Sequence, residues 1–108
     1  MARFEQFLKA LRDGLKALVA DTIQDFSQAA TKDGQAFLKK ARADLERWTK
    51  ALARGQLSKA DFEWLVQGKK DLAEMEALKQ AGLGLVRVDQ FRSSLIDLVV
   101  GTAFKVFL

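Results

Sequence analysis

Large apolar residues recur at every eleventh position through the first half of the chain. Phe4, Leu15, Phe26, Phe37 and Trp48 form one row, and Leu8, Val19, Ala30, Ala41 and Leu52 form a second row four residues on. Eleven residues make three turns at about 3.67 residues each, close to the 3.6 of an α-helix, so both rows fall on one nearly straight face. The pattern predicts one continuous helix from about Arg3 to Arg54. Its weakest stretch is Thr31-Lys32-Asp33-Gly34, because glycine costs about 1 kcal/mol against alanine and Thr or Asp can cap a new helix. The eleven-residue phase nevertheless passes from Phe26 to Phe37 without a shift, which favours continuity.

Arg54-Gly55-Gln56-Leu57-Ser58 reads as a turn. Gly55 suits the left-handed conformation that ends a helix, and the Ser58 side chain can accept from the backbone N–H of Asp61 as an N-cap. Leu57 and Phe62 occupy the two positions of a hydrophobic staple, with Asp61 and Glu63 in the positive first turn. A second helix from about 58 to 107 follows. Its apolar rows, Phe62, Ala73, Gly84, Leu95, Val106 and Val66, Ala77, Val88, Val99, are weaker, and Gly82-Leu83-Gly84 is its weak point.

The expected fold is therefore all-α: a single domain over 1–108, in which two long helices, about 3–54 and 58–107, form an antiparallel hairpin with its turn at 54–58. If the turn lies between Gln56 and Leu57, residues whose numbers sum to 113 stand level. Lys16 with Asp97, Asp21 with Arg92, Lys39 with Glu74, Arg42 with Asp71, Asp44 with Lys69 and Lys50 with Glu63 then bring opposite charges together, as flanking charges do in antiparallel coiled coils. Both weak points, Gly34 and Gly82, lie near one level. A bend shared by both arms, or a fold-over into a compact monomeric four-helix bundle, is the structural alternative.

A straight hairpin of this length would be ~75 Å long and two helices wide, leaving much apolar surface in water. The segment 83–108 is apolar on all sides, which is the habit of a helix packed on several neighbours. The end bearing both termini also carries six of the eight phenylalanines. Assembly into an oligomeric helical bundle through Phe4, Phe7, Phe91, Leu95, Val99, Phe104 and Phe107 is the expectation. Attachment of an amphipathic face to a membrane or granule is the alternative.

Charge is distributed unevenly. The net charge of +4 comes from the middle third: residues 39–70 carry nine basic and four acidic side chains, whereas 1–38 and 71–108 are close to neutral. Arg47, Lys50, Arg54 and Lys59, beside Trp48 and Trp64, make the hairpin tip a candidate site for an acidic protein or an anionic surface. The two tryptophans are expected to pack across the hairpin. Nucleic acid is not expected, since no helix-turn-helix spacing, RNP-like sequence or zinc finger occurs.

The chain has no His, Cys, Pro or Tyr. Without imidazole or thiolate the common catalytic bases, nucleophiles and zinc ligands are missing, and no phosphate-binding Gly-Lys-Ser/Thr loop is present. A non-catalytic structural or adaptor role without cofactor or metal is expected. Asp89 and Asp97 stand in the apolar terminal segment, and ion pairing with Arg92 and Lys16 accounts for them better than catalysis does. No charge-free run approaches the ~20 residues of a membrane span, and Glu5, Asp13 and Asp21 interrupt any leader-like apolar core. A cytoplasmic protein is expected. In outline the chain resembles the small helical-hairpin secretion substrates of the WXG type, although their Trp-x-Gly turn is absent and Trp48 precedes Gly55 by seven residues. In its repeated amphipathic helix and lack of cysteine it is also similar to phasin-type granule coats. Neither likeness rests on a motif, and no residue roles follow from them.

Overall fold

The computed structural model describes residues 2–108. Helix α1 spans Ala2–Thr22, a 3₁₀ turn Gln24–Phe26 follows, and α2 spans Ser27–Ala53. After the expected turn come α3 at Lys59–Gln67, a 3₁₀ turn at Lys70–Leu72, the short α4 at Glu76–Gln80, and α5 at Leu85–Phe107. The fold is all-α. Neither arm of the expected hairpin is a single helix, however, and the molecule measures 43 × 23 × 20 Å instead of the length of a straight hairpin.

The turn at Arg54–Ser58 forms as its residues dictate. Gly55 has φ 74°, and the N–H groups of Gly55 and Gln56 donate to the carbonyls of Leu52 and Ala51, closing the last turn of α2. Ser58 accepts from Asp61 N–H at 3.1 Å and starts α3.

The first arm breaks earlier than Gly34, at Thr22–Ile23. Thr22 Oγ1 donates back to the Leu18 carbonyl at 2.7 Å, and Ile23 leaves the helical region at φ −148°. Ile23 is buried at this corner, which gives the bend an apolar anchor without glycine or proline. Gly34 lies inside α2 and serves packing. A Cβ there would stand 2.6 Å from Leu15 Cδ1, so the missing side chain lets α1 and α2 approach closely. Both eleven-residue rows face inward along the folded arm: Leu8, Val19, Ala30, Ala41 and Leu52 are all buried, and Phe26 and Trp48 are half-buried.

The second arm breaks at Gly82, φ 92°, where Gly82 and Leu83 N–H donate to the Lys79 and Leu78 carbonyls and end α4 as Gly55 and Gln56 end α2. The α4 N-terminus is capped from across the fold. The buried Asp33 carboxylate accepts from Ala77 N–H at 2.9 Å and from Leu78 N–H at 2.8 Å. Met75, just before α4, holds a left-handed φ of 58° that costs a non-glycine residue about 1–2 kcal/mol.

The cross-chain contacts remain close to the register in which residue numbers sum to 113. Asp44 pairs with Lys69 and Lys40 with Glu74 beside the turn, and farther out Gly14 meets Leu98, Asp25 meets Arg87, and the Phe7 ring meets Phe107. Of the six charge pairs expected at that register, Asp44–Lys69 is formed. Arg42 instead reaches Glu5, and Arg92 pairs with Asp89 while donating to the Ala73 carbonyl. The doubled chain folds over once, at Ile23–Phe26 on one arm and Gly82–Gly84 on the other. α1 then lies antiparallel to both α2 and α5, and the segment α3–α4 returns along α2. These four layers enclose one core, with Phe7, Leu11, Phe37, Leu45, Phe62, Val66, Leu78, Leu95 and Val99 fully buried.

Candidate functional site

The fold-over has a direct consequence for the two ends read from the sequence. It brings the chain termini back to the turn, so Phe4, Phe7, Phe104 and Phe107 join the basic tip at one end of the bundle, while Phe26 and Phe91 stay at the corner end beside Arg87 and Ile23. Arg3 donates to the Val106 carbonyl at 3.0 Å and its guanidinium stands 5.3 Å from the Phe107 ring. Arg42 stands over Phe4 at 5.6 Å, and Lys59 over Phe104 at 5.4 Å. Phe62 meets Phe104 at 5.9 Å between ring centroids, and Phe7 meets Phe107 at 5.5 Å. The result is an aromatic floor capped by cations, each such contact contributing about 0.5–1 kcal/mol where exposed.

The residues expected at an oligomer interface form much of the subunit's own interior. Phe4, Phe7, Phe91, Leu95, Val99 and Phe107 are buried, and Phe104 is half-buried. The apolar surface that a straight hairpin would leave for a second subunit is covered here by the chain's own fold-over.

Of the four tip residues, Arg47 is held by a carboxylate, Lys59 lies over the Phe104 ring, and Lys50 and Arg54 make neither an ion pair nor a cation–ring contact among the described residues. The Arg47 guanidinium donates to Asp44 at 2.7 Å and lies 5.9 Å from the Trp48 ring, on which Lys69 also sits at 5.8 Å. A hydrogen bond from Lys69 and the positive charges of Lys69 and Arg47 outweigh partial burial and hold the Asp44 carboxyl below its ordinary range. Lys50, Arg54 and Lys59 are exposed, and none takes part in the ion pairs formed among the described residues. The tip named from the sequence omits Arg3, Arg42 and Lys69: Arg3 and Arg42 meet Phe107 and Phe4 at this end because the arms fold over, whereas Lys69 stands beside Asp44 through the hairpin register itself.

The tryptophans do not share one role. Trp48 is half-buried beneath its two cations, whereas Trp64 on α3 is 74 % exposed and makes no aromatic or cation contact among the described residues. At the opposite end of the bundle, Leu85 and Val86 are also exposed beside an open groove of about 650 Å³ lined by Thr22, Ile23, Val86, Arg87, Phe91 and Ser94. There Arg87 holds Asp25 in a two-pronged pair at 2.9 and 3.0 Å, lowering the Asp25 pKa and raising its own.

Among the described residues no cluster of three or more His, Cys, Asp or Glu side chains is arranged to hold a metal, and no helix is long and apolar enough to cross a membrane. Comparison of the chain with protein-family models, with curated proteins and with solved structures found no match.

Proposed function

We propose that the protein is a non-catalytic helical docking module, which works by associating with an anionic partner through the end of the bundle that bears the turn. The observation that supports this reading is the set of exposed cations Lys50, Arg54 and Lys59, none of them in an ion pair among the described residues, on the turn and its flanking helix ends. Cations left without carboxylate partners raise the local potential and attract negative charge over roughly a Debye length, about 8–10 Å at physiological salt. An acidic protein segment or an anionic surface has the complementary charge. A cytoplasmic location is part of the reading.

The test is binding to poly-glutamate and to anionic vesicles as a function of salt, with the wild type beside a Lys50→Glu/Arg54→Glu/Lys59→Glu variant. Wild-type binding should weaken as salt rises, and the variant should lose at least tenfold in affinity. Equal binding by the two proteins would remove the basic end from the account.

Self-assembly is the second reading, and the exposed Leu85 and Val86 beside the groove favour it. An isologous contact there would bury both. It predicts a solution mass that is a multiple of 12.1 kDa and falls on Val86→Asp. A concentration-independent monomer at millimolar chain would end it.

A further inference from the structure

We propose that the anionic partner is a phospholipid surface, with Lys50, Arg54 and Lys59 among anionic headgroups and the Trp64 indole inserted at the interface. The proposal rests on the basic-end reading and adds the chemistry of the partner. Trp64 follows Lys59 by five positions on α3, which places it about 8 Å farther along the helix axis and about 140° around it, with Lys69 beside it. It is 74 % exposed in a chain whose other tryptophan is shielded by Arg47 and Lys69. A large ring with one N–H donor is poorly served by water alone and well served at headgroup level, where its body meets acyl chains and its N–H meets polar groups. Leu108, 61 % exposed, terminates α5 four residues beyond Phe104, the ring beneath Lys59. The helix segments that meet at this end thus carry an exposed indole and an exposed leucine as well as cations outside any ion pair among the described residues; apolar and cationic groups are what peripheral proteins use to hold an anionic bilayer.

Single-stranded nucleic acid fits less well. It needs a cationic groove with successive open aromatic faces, and here the second aromatic, Trp48, already lies against Arg47 and Lys69. An acidic protein segment would use the cations and leave Trp64 without a defined role.

Each Lys or Arg near an anionic membrane adds roughly a fivefold gain in partitioning, so removing three lowers it on the order of a hundredfold. The experiment uses the full chain with phosphatidylcholine vesicles, alone and mixed with phosphatidylglycerol. The Trp48→Phe variant makes Trp64 the sole tryptophan. The expected results are cosedimentation with the anionic vesicles only, a blue shift of Trp64 emission on binding, and quenching by brominated acyl chains. Lys50→Gln/Arg54→Gln/Lys59→Gln should reduce partitioning on the order of a hundredfold, and Trp64→Ala, at an exposed site, should reduce it while leaving the helical signal unchanged. Binding to poly-glutamate without binding to phosphatidylglycerol vesicles overturns the lipid proposal and leaves the basic-end reading standing. Vesicle binding that survives the triple neutralisation overturns both. Tighter binding to single-stranded DNA than to vesicles, with Trp64 quenched by the bases, replaces lipid by nucleic acid.

Discussion

Replacing Asp33 with alanine tests how much of the fold-over depends on one side chain. The buried carboxylate accepts from Ala77 N–H at 2.9 Å and from Leu78 N–H at 2.8 Å, and so supplies the cap that α4 does not find locally. Removing it leaves a fully buried residue, Leu78, with an unpaired N–H, while the partly buried site at Ala77 can turn to water. A hydrogen bond to a charged group contributes about 1.5–3 kcal/mol, and loss of an N-cap costs about 0.5–2. The desolvation of Asp33 itself opposes these terms, so a net loss of about 2–4 kcal/mol is expected. For a domain of this size that is a fall in Tm of roughly 10–20 °C. Urea unfolding followed by circular dichroism at 222 nm measures the loss, and Asp33→Asn, which keeps one acceptor oxygen, should recover about half of it. Hydrogen exchange at Leu78 should accelerate more than exchange in α1. A variant within about 0.5 kcal/mol of wild type would show that α4 does not need the cap.

The other glycine and charge sites give sharper contrasts. Gly34→Ala gains about 1 kcal/mol of helix propensity but sets a Cβ 2.6 Å from the buried Leu15 Cδ1, an overpacking that costs about 1–3 kcal/mol, so the urea assay should show no gain in stability and a net loss of up to about 2 kcal/mol. Gly82→Ala, at φ 92° with open space around it, should cost about 1–2 kcal/mol through backbone strain alone, whereas Gly84→Ala, at φ −65°, should be close to neutral. Val99→Asp should unfold the subunit, because Val99 is fully buried within it. The Asp25, Asp44 and Glu74 carboxyls are all held below their ordinary pKa by hydrogen bonds from Arg87, Lys69 and Lys40. Their contribution is therefore complete above the unfolded carboxylate values near 4 and is lost as pH falls through the lower folded ones. With no histidine in the chain, Tm should be flat between about pH 5 and 8 and fall below about 4; a transition near pH 6 would contradict this.

What could be read from the sequence divides along physical lines. The turn at Arg54–Ser58 is encoded locally, by a glycine at the left-handed position and a serine at the cap, and it forms as read. The break at Thr22–Ile23 carries no such code. It is set by burial of Ile23 and by the Asp25–Arg87 pair, both of which need α5 in place. The eleven-residue phase predicts no break in this arm, yet Leu15 and Phe26 keep the phase across the real corner. A corner that folds an amphipathic helix back on its own apolar face leaves both halves facing the same core, so an unbroken hydrophobic phase does not require an unbroken helix. Gly34 shows the converse. Its sequence cost looks like a break, and its structural use is close packing against Leu15.

The candidate site was legible only in pieces for the same reason. Charge composition located Arg47, Lys50, Arg54 and Lys59, and phenylalanine density located the termini, but a straight hairpin separates these by its whole length. Register depends on local caps and flanking charges, and it survives the fold-over. End-to-end placement depends on where the doubled chain bends, which tertiary burial decides. Once the bend is at Ile23–Phe26 and Gly82–Gly84, the aromatic side chains are consumed as core and the cations that cap them remain outside. The basic end is thus built on a buried, filled floor, so a partner gains little from repacking it and is recognised by charge and by the apolar groups left exposed there. Trp64 is the larger of the two exposed at this end and is the side chain most sensitive to which partner that is.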